Sequence, residues 1–493
     1  MQSRQNPSKS VGIIGAGIAG IATAIRLACA GHRVEVFESN AYPGGKLSEI
    51  QLQGYRFDAG PSLFTLPQLI EELFELAGEQ TQDHFNYLSL PVVCHYFWED
   101  GTRLQAYSDP EKFVAEVENV LGEPSKHVEK ALTRSATLYD YLGEMFMFRS
   151  MHKLETWTNA DARRSYRNLH KMDFLRTMNA ANESTFQNPK LVQLFNRYAT
   201  YNGSDPYQTP ATLNIIPHLE FNIGAYFPQN GMHDITLSLM GLAERQGVKF
   251  HLGAPVEEIL VENKQAQGIQ VGGKKYTFDR VVSNMDVVNT YRKLLPSQAP
   301  PEKILRQPKS SSALIFYWGI RHSFPQLNLH NILFSEDYRQ EFEHIFRKGT
   351  IYQDPTIYIN ITSKYKADDA PEGAENWFTM INVPNNQGQN WDQLIAEARE
   401  RILDKVSRML DYDVRSVLEV EEYLDPRRIE SKTSSSQGAL YGNSSNNRYA
   451  AFLRHSNFSK RIKGLYFCGG SVHPGGGIPL SLSSAKIVSE VFE

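Results

Sequence analysis

The chain has 493 residues, of which 41% are hydrophobic and 22% charged, as in an ordinary soluble protein of about two or three domains. A formal net charge of −4 gives no overall basic character and disfavours nucleic acid as a partner. Cys29, Cys94 and Cys468 have no paired spacing, which excludes a readable disulfide framework or CxxC metal site and favours a reducing cytoplasm.

The first predicted elements form a βαβ unit. A strand over residues 11–14 leads into a glycine-rich turn and a helix to about residue 30, and a second strand ends on Glu38. Such glycines let a pyrophosphate approach the backbone at a helix N-terminus, and the acid can accept both hydroxyls of an adenosine ribose. The acid disfavours NADP and leaves NAD and FAD open. The three glycines of the turn are Gly15, Gly17 and Gly20.

A second glycine turn follows the ribose acid. It reads Gly44-Gly45-Lys46 and precedes the strand "YRFDAGPS", which carries Gly60. This order resembles the flavin-containing amine oxidase and phytoene desaturase superfamily, in which a second Gly-Gly turn lies against the flavin. The resemblance implies FAD as the cofactor, with these residues among its contacts.

The stretch over residues 138–176 predicts a helical subregion that could lie on a membrane. "LYDYLGEMFMFRSMHKLETW" places large apolar side chains at helical spacing, as in an interfacial helix on an anionic bilayer. The alternative is a helix packed in the core and followed by a solvated basic face. No apolar run reaches 18 residues, so any membrane contact is expected from one side. The basic residues of the stretch are Arg149, Lys153, Arg163, Arg164, Arg167, Lys171 and Arg176.

Residues 191–228 predict an apolar aromatic wall. They are dense in Tyr, Phe, Asn and Pro, and Glu220 is one of very few charged residues among them. Such a wall suits a long lipophilic ligand. Tyr201 and Tyr207 are the residues expected to line its approach.

The chain then returns to the nucleotide-binding part. Val256 is expected to present its backbone near the adenine, and "VVSNMD" is expected to end a parallel strand at Asn284. Strand-like runs at "ALIFYWGI", "TIYINITS", "NWFTMINV" and "SVLEVEEY", with an amphipathic helix over residues 394–410, predict an antiparallel sheet with covering helices.

The last segment combines a strand, a glycine-rich turn and a helix. "LYFC" is followed by two glycines, then by "SVHPGGG" and the helix that ends the sequence. Glycines there allow main-chain N–H groups to lie against a flat ring, and the helix dipole stabilises negative charge at the N1–C2 edge of a reduced flavin. The residues expected to contact the flavin are Gly469, Gly470, Gly477, Ile478 and Pro479.

The sequence "HPGGGIP…SAK" closely resembles the C-terminal flavin motif of bacterial carotenoid desaturases, within the carotenoid/retinoid oxidoreductase family. "FDAGPS", "YNGSDPYQTPATLNIIPHLE", "FPQNGM", "VVSNMD" and "GALYG" extend the resemblance over essentially the whole chain. Gly469-Gly470-Ser471 replaces the Gly-Asp of many flavin oxidases, which counts against an amine oxidase. Phytoene desaturases and flavobacterial 1-hydroxycarotenoid 3,4-desaturases both remain possible. The C-terminal sequence and the polar-aromatic wall favour the second.

The resemblance implies a desaturation, in which flavin N5 takes a hydride from one carbon and the neighbouring carbon loses a proton. Glu220 and His473 are the candidate catalytic bases, and a water molecule could also serve. Oxygen or a membrane quinone would accept the electrons. No metal site is expected, and the implied location is the cytoplasm, with peripheral attachment to the inner membrane.

Two other functions stay open. A prenyl-lipid escort protein of the GDP-dissociation-inhibitor type would use the same two-domain plan without flavin, but it would have no reason to keep both Glu38 and the C-terminal glycine run. A carotenoid oxygenase would use the same fold with oxygen.

The sequence thus predicts an α/β protein with a Rossmann-like FAD-binding domain built from discontinuous segments. The expected second part is an α+β substrate domain with an antiparallel sheet and a helical membrane-facing part. The expected ranges are 10–80, 230–300 and 460–493 for the FAD domain, 81–137, 190–229 and 301–459 for the substrate domain, and 138–189 for the helical part.

Overall fold

A computed structural model describes residues 8–168, 172–447 and 449–492. Lys171 of the predicted basic run and Glu493 of the predicted FAD domain lie outside these ranges. The strands are β1 (Ser10–Ile14), β2 (Arg33–Phe37), β3 (Glu49–Leu52), β4 (Tyr55–Asp58), β5 (Tyr87–Ser89), β6 (Val92–Phe97), β7 (Arg103–Tyr107), β8 (Tyr226–Pro228), β9 (Lys249–His251), β10 (Val256–Glu262), β11 (Gln265–Val271), β12 (Lys274–Thr277), β13 (Arg280–Ser283), β14 (Ser312–Ile320), β15 (His330–Leu333), β16 (Ile357–Ile361), β17 (Glu375–Val383), β18 (Leu418–Leu424) and β19 (Leu465–Phe467).

The α-helices of the same ranges vary from single turns to 24 residues. They are α1 (Ile18–Cys29), α2 (Gln68–Leu76), α3 (Pro110–Leu121), α4 (Ser125–Phe148), α5 (Leu154–Thr158), α6 (Ala160–Arg167), α7 (Met178–Glu183), α8 (Pro189–Asn196), α9 (Ile216–His218), α10 (Asp234–Arg245), α11 (Val287–Asn289), α12 (Glu302–Leu305), α13 (Tyr338–Glu343), α14 (Trp391–Leu410), α15 (Pro426–Thr433), α16 (Ala450–Leu453) and α17 (Ile478–Val491).

The first sheet is parallel and has the strand order β19-β13-β1-β2-β9 within the described ranges. Ile13 lies opposite Val282 on one side and Val36 on the other, and Val282 lies opposite Tyr466. Helices α1, α10 and α17 contribute to the apolar core on one face, while β10, β11 and β12 contribute to the core on the other. Its strands come from three separate stretches of the chain, as the prediction of a discontinuous FAD domain requires. The domain boundaries themselves stay a prediction.

The second sheet is mixed, with the order β18-β14-β17-β16-β15-β6-β7 in the part of the chain described. The sequence predicted an antiparallel sheet, and one pair departs from it: β15 runs parallel to β6, with Ile332 opposite Tyr96. The difference arises because the β6–β7 hairpin, which precedes the helical part, adds to the β15 edge. Strand β14, next to the edge strand β18, is buried along its whole length, with α14 packed over Trp318 and Trp377.

The helix predicted from the apolar residues after residue 138 begins earlier than expected, and its apolar side faces the interior of the protein. Helix α4 already begins at Ser125 and ends at Phe148, where Arg149 adopts an extended backbone. Leu142 and Met145 on its apolar side are buried in the protein. This side of α4 is therefore packed in the core, and the membrane-associating role of the segment over residues 138–189 stays a prediction. Among the described helices, none is long and apolar enough to cross a bilayer.

The βαβ unit has the predicted elements, and its close packing depends on Gly20. A Cβ added at Gly20 would stand 2.2 Å from the carbonyl oxygen of Gly15. The neighbouring atom belongs to the backbone, so it cannot move aside as a flexible side chain would. Helix α1 can therefore approach the turn after β1 only with a glycine at this position.

We expect Gly20→Ala to lower the free energy of unfolding by about 1–3 kcal/mol because the added methyl group displaces the turn. Gly241→Ala in helix α10 is the matched control, since its nearest contact is the mobile end of Arg245 at 3.3 Å. There alanine should be neutral or stabilising by up to about 1 kcal/mol, as in other helices. Thermal melts of both variants check the prediction, and equal melting temperatures would contradict it.

Candidate functional site

A cavity of about 990 Å3 opens at the carboxyl edge of the parallel sheet. The residues that follow β1, β2, β13 and β19 all line it, namely Gly15, Glu38, Asn284 and the Gly469-Gly470 pair. Ligands of open parallel sheets bind at this edge, where strand ends and helix N-termini meet. The cavity is thus formed where the sequence places its glycine motifs.

Two helix N-termini point main-chain N–H groups at this part of the cavity. Helix α1 starts after Gly17 and helix α17 after Gly477, and neither N-cap residue makes a side-chain capping bond. Neither first turn carries an acid. Gly477 has a φ of 100°, and a Cβ there would meet no atom within 4 Å, so open space faces this backbone. Both termini are suited to bind a negatively charged or electron-rich group.

Glu38 is buried and fixed at the end of β2. One carboxylate oxygen accepts the N–H of Ala16 at 2.8 Å. The other accepts the N–H of Asn40 at 2.8 Å and its side-chain amide at 2.9 Å. A carboxylate held in this way presents a fixed acceptor beside the cavity, which suits ribose hydroxyls and repels a phosphate.

The second glycine turn lies directly against the first. The Gly44 N–H donates to the carbonyl of Ala16 at 2.8 Å. Lys46 is half-buried, and its Nζ donates to the carbonyls of Ala439 at 3.3 Å and Leu440 at 2.8 Å. Burial lowers the pKa of Lys46 to about 8, while the nearby Asp286 opposes this shift. The turn is therefore fastened to the loop that contains the "GALYG" stretch.

Nearly all of the predicted cofactor residues line this single cavity, and their geometry fits an FAD. The cradle consists of glycines, two helix N-termini and one fixed acid. Gly20 is the exception, because it packs α1 against the turn and does not face the cavity. Their individual contacts with FAD stay predictions. The residues that line the cavity are Gly15, Gly17, Glu38, Gly44, Gly45, Lys46, Gly60, Val256, Asn284, Gly469, Gly470, Gly477, Ile478 and Pro479.

The cavity continues from the glycine turns into an apolar region. On one side lie side chains of α4 and the segments after it, and on the other the inner face of the mixed sheet. These walls carry aliphatic, thioether and aromatic groups, which favour a long apolar ligand. They include Tyr139, Leu142, Met145, Phe146, Met151, Trp157, Met172, Phe174, Ile315, Tyr317, Phe378 and Met380.

A buried polar cluster interrupts the apolar wall. Glu220 lies in a π-helical turn, Leu219–Ile223, a distortion that is frequent at functional sites. Its carboxylate accepts the hydroxyls of Tyr198, at 2.7 Å, and Tyr201. Arg197 forms an ion pair with the same carboxylate at 3.5 Å. Glu220 and Tyr201 both line the cavity, as predicted from the sequence.

Arg197 is enclosed by aromatic rings. Its guanidinium donates to the hydroxyls of Tyr201 and Tyr96, both at 2.8 Å. It also lies 4.6 Å from the ring centroid of Tyr198. Burial raises the pKa of each of these three tyrosines well above its usual value, so their hydroxyls remain protonated. The cluster therefore contains one cation, Glu220 as its counter-ion, and hydroxyls that donate hydrogen bonds.

Two predicted residues lie outside the cavity wall. Tyr207 packs its ring under the guanidinium of Arg339, at 4.0 Å, and against Phe342, because its turn faces away from the cavity. His473 is fully buried, and its Nε2 is 2.9 Å from the carbonyl oxygen of Arg149. Burial lowers the pKa of His473 to about 3, so the ring is neutral. Neither residue lies in the cavity wall, and the substrate role of Tyr207 and the base role of His473 stay predictions.

Sequence reasoning missed part of the wall. Arg197, one of the few charged residues between 191 and 228, was not singled out, although a lone arginine among tyrosines is a signal for a buried cation–π site. His330, Tyr358 and Ser62 also line the cavity. Ser62 ends the "FDAGPS" stretch, but no motif marks His330 or Tyr358, because sheet pairing brings together positions that are far apart in the chain.

The chain matches the family described as "Flavin containing amine oxidoreductase" over residues 18–491. It is 51% identical to a 1-hydroxycarotenoid 3,4-desaturase from Flavobacterium sp. (strain P99-3), over 97% of this chain and 98% of that protein. A 4,4'-diapolycopene oxygenase from Methylomonas sp. is 31% identical, over 98% of both chains. In structure, an oxidoreductase from Methanosarcina mazei superposes with a TM-score of 0.63 at 16% identity, covering 98% of this chain and 100% of that one.

Proposed function

The chain belongs to the family of flavin-containing amine oxidoreductases and is an FAD-dependent oxidoreductase, and on this premise we propose that it desaturates the acyclic end of a 1-hydroxylated carotenoid. Family membership confirms the resemblance and the FAD cofactor that the sequence implied. The observation that carries the proposal is one continuous cavity, which joins the glycine cradle to a long apolar wall. The relative that is 51% identical to this chain, over 98% of its own length, is named for this reaction.

The reaction requires loss of a hydride from one carbon and of a proton from its neighbour. FAD, held by the two glycine turns and by the N-termini of α1 and α17, supplies the hydride acceptor when bound. The apolar wall orients the extended chain and keeps water away from the charge that develops beside the polyene. Strong nucleophiles are not needed, because the polyene itself delocalises this charge.

Glu220 is the residue that we assign as proton acceptor. Its carboxylate lines the cavity wall, and its partners Tyr198, Tyr201 and Arg197 hold it in one position. Transfer of the proton to Glu220 would leave Arg197 as a cation that is still stabilised by three aromatic rings. His473 is not carried forward in this role, because its ring is bound to a backbone carbonyl outside the wall.

We further propose that the protein lies peripherally on the cytoplasmic face of the inner membrane. Leu154 and Leu175 are 77% and 82% exposed, and both belong to the helical part between α4 and α7. Tyr166 in this part lines the cavity while remaining 44% exposed, so the cavity approaches the surface there. Exposed apolar groups beside Arg164 and Arg167 suit an anionic bilayer, from which an apolar substrate would enter. Oxygen or a membrane quinone then serves as electron acceptor.

A carotenoid oxygenase is the second candidate, because the 31% identical relative is named as an oxygenase and matches this chain over 98% of both proteins. A phytoene desaturase is the third, since it would need the same cofactor cradle and apolar wall. An escort protein without enzymatic activity is not retained, as the family is one of flavin oxidoreductases.

The substrate is tested by mixing FAD-loaded protein anaerobically with liposomes that carry either 1-hydroxy-γ-carotene or phytoene. We expect the flavin absorbance to bleach only with the hydroxylated carotenoid, whose product loses two hydrogens and gains one conjugated double bond. Protein without FAD is the control and should leave both pigments unchanged. Bleaching by phytoene would identify the phytoene enzyme, and a product that gains oxygen in air would identify the oxygenase.

Glu220→Gln should lower kcat by about 100-fold or more, because the amide cannot accept the proton while its volume is retained. Glu220→Asp keeps the acid and should recover part of this loss. Tyr207→Phe, outside the cavity wall, is the control and should keep the wild-type rate. FAD content, measured for each variant, separates misfolding from lost chemistry. A folded Glu220→Gln variant with wild-type kcat would rule out Glu220 as the base.

Membrane attachment is tested by flotation with liposomes that contain anionic lipid. The wild type should float, while the double variant Leu154→Glu/Leu175→Glu should bind about 100-fold more weakly, since two apolar contacts become negative charges. Leu237→Glu on α10 is the matched control, because that leucine is also exposed, at 50%, but lies in the parallel-sheet part. Wild-type protein that stays at the bottom, or a Leu237→Glu variant as weak as the double variant, would contradict the proposal.

A further inference from the structure

His330 places an imidazole in the cavity wall at the first residue of strand β15. The side chain is buried, and its Nδ1 has two neighbours on β16. The Tyr358 hydroxyl lies 2.7 Å away and the Asn360 amide nitrogen 3.2 Å away. The Tyr358 hydroxyl is in turn 2.7 Å from the Ser62 hydroxyl. His330 is therefore connected by hydrogen bonds to the segment that follows Gly60.

These partners determine which ring nitrogen carries the proton. The Asn360 amide nitrogen also donates to the carbonyl of Leu329 at 3.0 Å, which fixes the orientation of the amide. An amide N–H group can only donate, so Nδ1 of His330 must accept. The proton of the neutral ring is then on Nε2. Burial, with a smaller contribution from Arg197, lowers the pKa of His330 to about 3, so the ring is neutral near pH 7.

The Nε2–H group has no hydrogen-bond partner within the described part of the chain. Among the described residues of the cavity wall, the Nε–H group of Arg197 is the other buried side-chain donor without a partner. The aromatic rings around its guanidinium compensate for the missing acceptor. A buried donor without an acceptor destabilises a protein unless a ligand provides one. His330 therefore requires an acceptor atom from whatever occupies the cavity.

We propose that the Nε2–H group of His330 donates a hydrogen bond to the hydroxyl oxygen of the carotenoid, which makes His330 the residue that selects a hydroxylated end. This inference rests on the proposed function. The reacting carbon nearest the hydroxyl is two bonds from the carbon that bears it, so the donor must stand close to the cofactor. The His330–Tyr358–Ser62 chain meets this requirement, because it ends two residues after Gly60 in the cofactor cradle.

The test measures binding separately from chemistry. FAD-loaded protein is titrated with 1-hydroxy-γ-carotene and with 1,2-dihydro-γ-carotene, which lacks the hydroxyl, and tryptophan fluorescence quenching gives each Kd. The wild type should prefer the hydroxylated pigment by about 10- to 100-fold, the usual effect of satisfying a buried donor. His330→Phe should reduce this preference to less than about 3-fold, whereas His330→Gln, which retains a donor near the Nε2 position, should keep most of it.

Ile332→Val is the matched control, because Ile332 lines the cavity from the same strand and carries no polar group. It should weaken the binding of both pigments equally. FAD content reports whether the His330→Phe variant is folded. If it does not fold, His330→Gln tests the role of the donor. The proposal is overturned if folded His330→Phe keeps the preference for the hydroxylated pigment. It is also overturned if His330→Gln loses this preference as completely as His330→Phe does.

The outcomes distinguish this inference from the proposed function. A wild type that prefers the hydroxylated pigment through His330 but does not desaturate it supports the inference and refutes the function. A wild type that desaturates the hydroxylated pigment and binds both pigments equally supports the function and refutes the inference.

Discussion

The site depends on two helix N-termini that the fold brings to one cavity. Helices α1 and α17 both begin at a glycine that makes no side-chain cap, and both N-termini open into the same cavity. The first N–H groups of a helix need acceptors from outside the helix, and the parallel sheet brings the two termini together by ending β1 and β19 at one edge. The turn at Gly44 and the fixed carboxylate of Glu38 then shape the remaining space around whatever provides that acceptor.

The substrate half of the cavity follows a different principle, in which charge is enclosed by aromatic groups. Arg197 and Glu220 are both buried, and an isolated charge at either position would be strongly destabilising. Three tyrosines surround the pair with hydroxyl donors and ring faces. The pair adds no net charge to a wall that must accept an apolar ligand, yet it keeps a carboxylate inside that wall.

Local signals in the sequence predict the cofactor half well. The glycine spacings and Glu38 specify a βαβ unit, and Gly477 marks the start of the last helix, because these features act over a few residues. The direction of β15 relative to β6 and the burial of the α4 face depend on contacts between distant segments, so no local pattern shows them. His330 illustrates the limit most clearly: its role follows from Asn360 and Tyr358, which reach it only through the pairing of β15 with β16.

The glycine-rich half of the cavity offers mainly backbone, whereas the apolar half offers side chains, and this division affects how the protein can diverge. Substitutions in the apolar wall can alter the shape and polarity offered to the lipid without touching the cradle at Gly17, Gly45 or Gly477. A gene copy can therefore acquire a new lipid specificity while its redox machinery stays intact. The same division recommends the wall, and not the glycine turns, as the target for mutant libraries that seek new pigments.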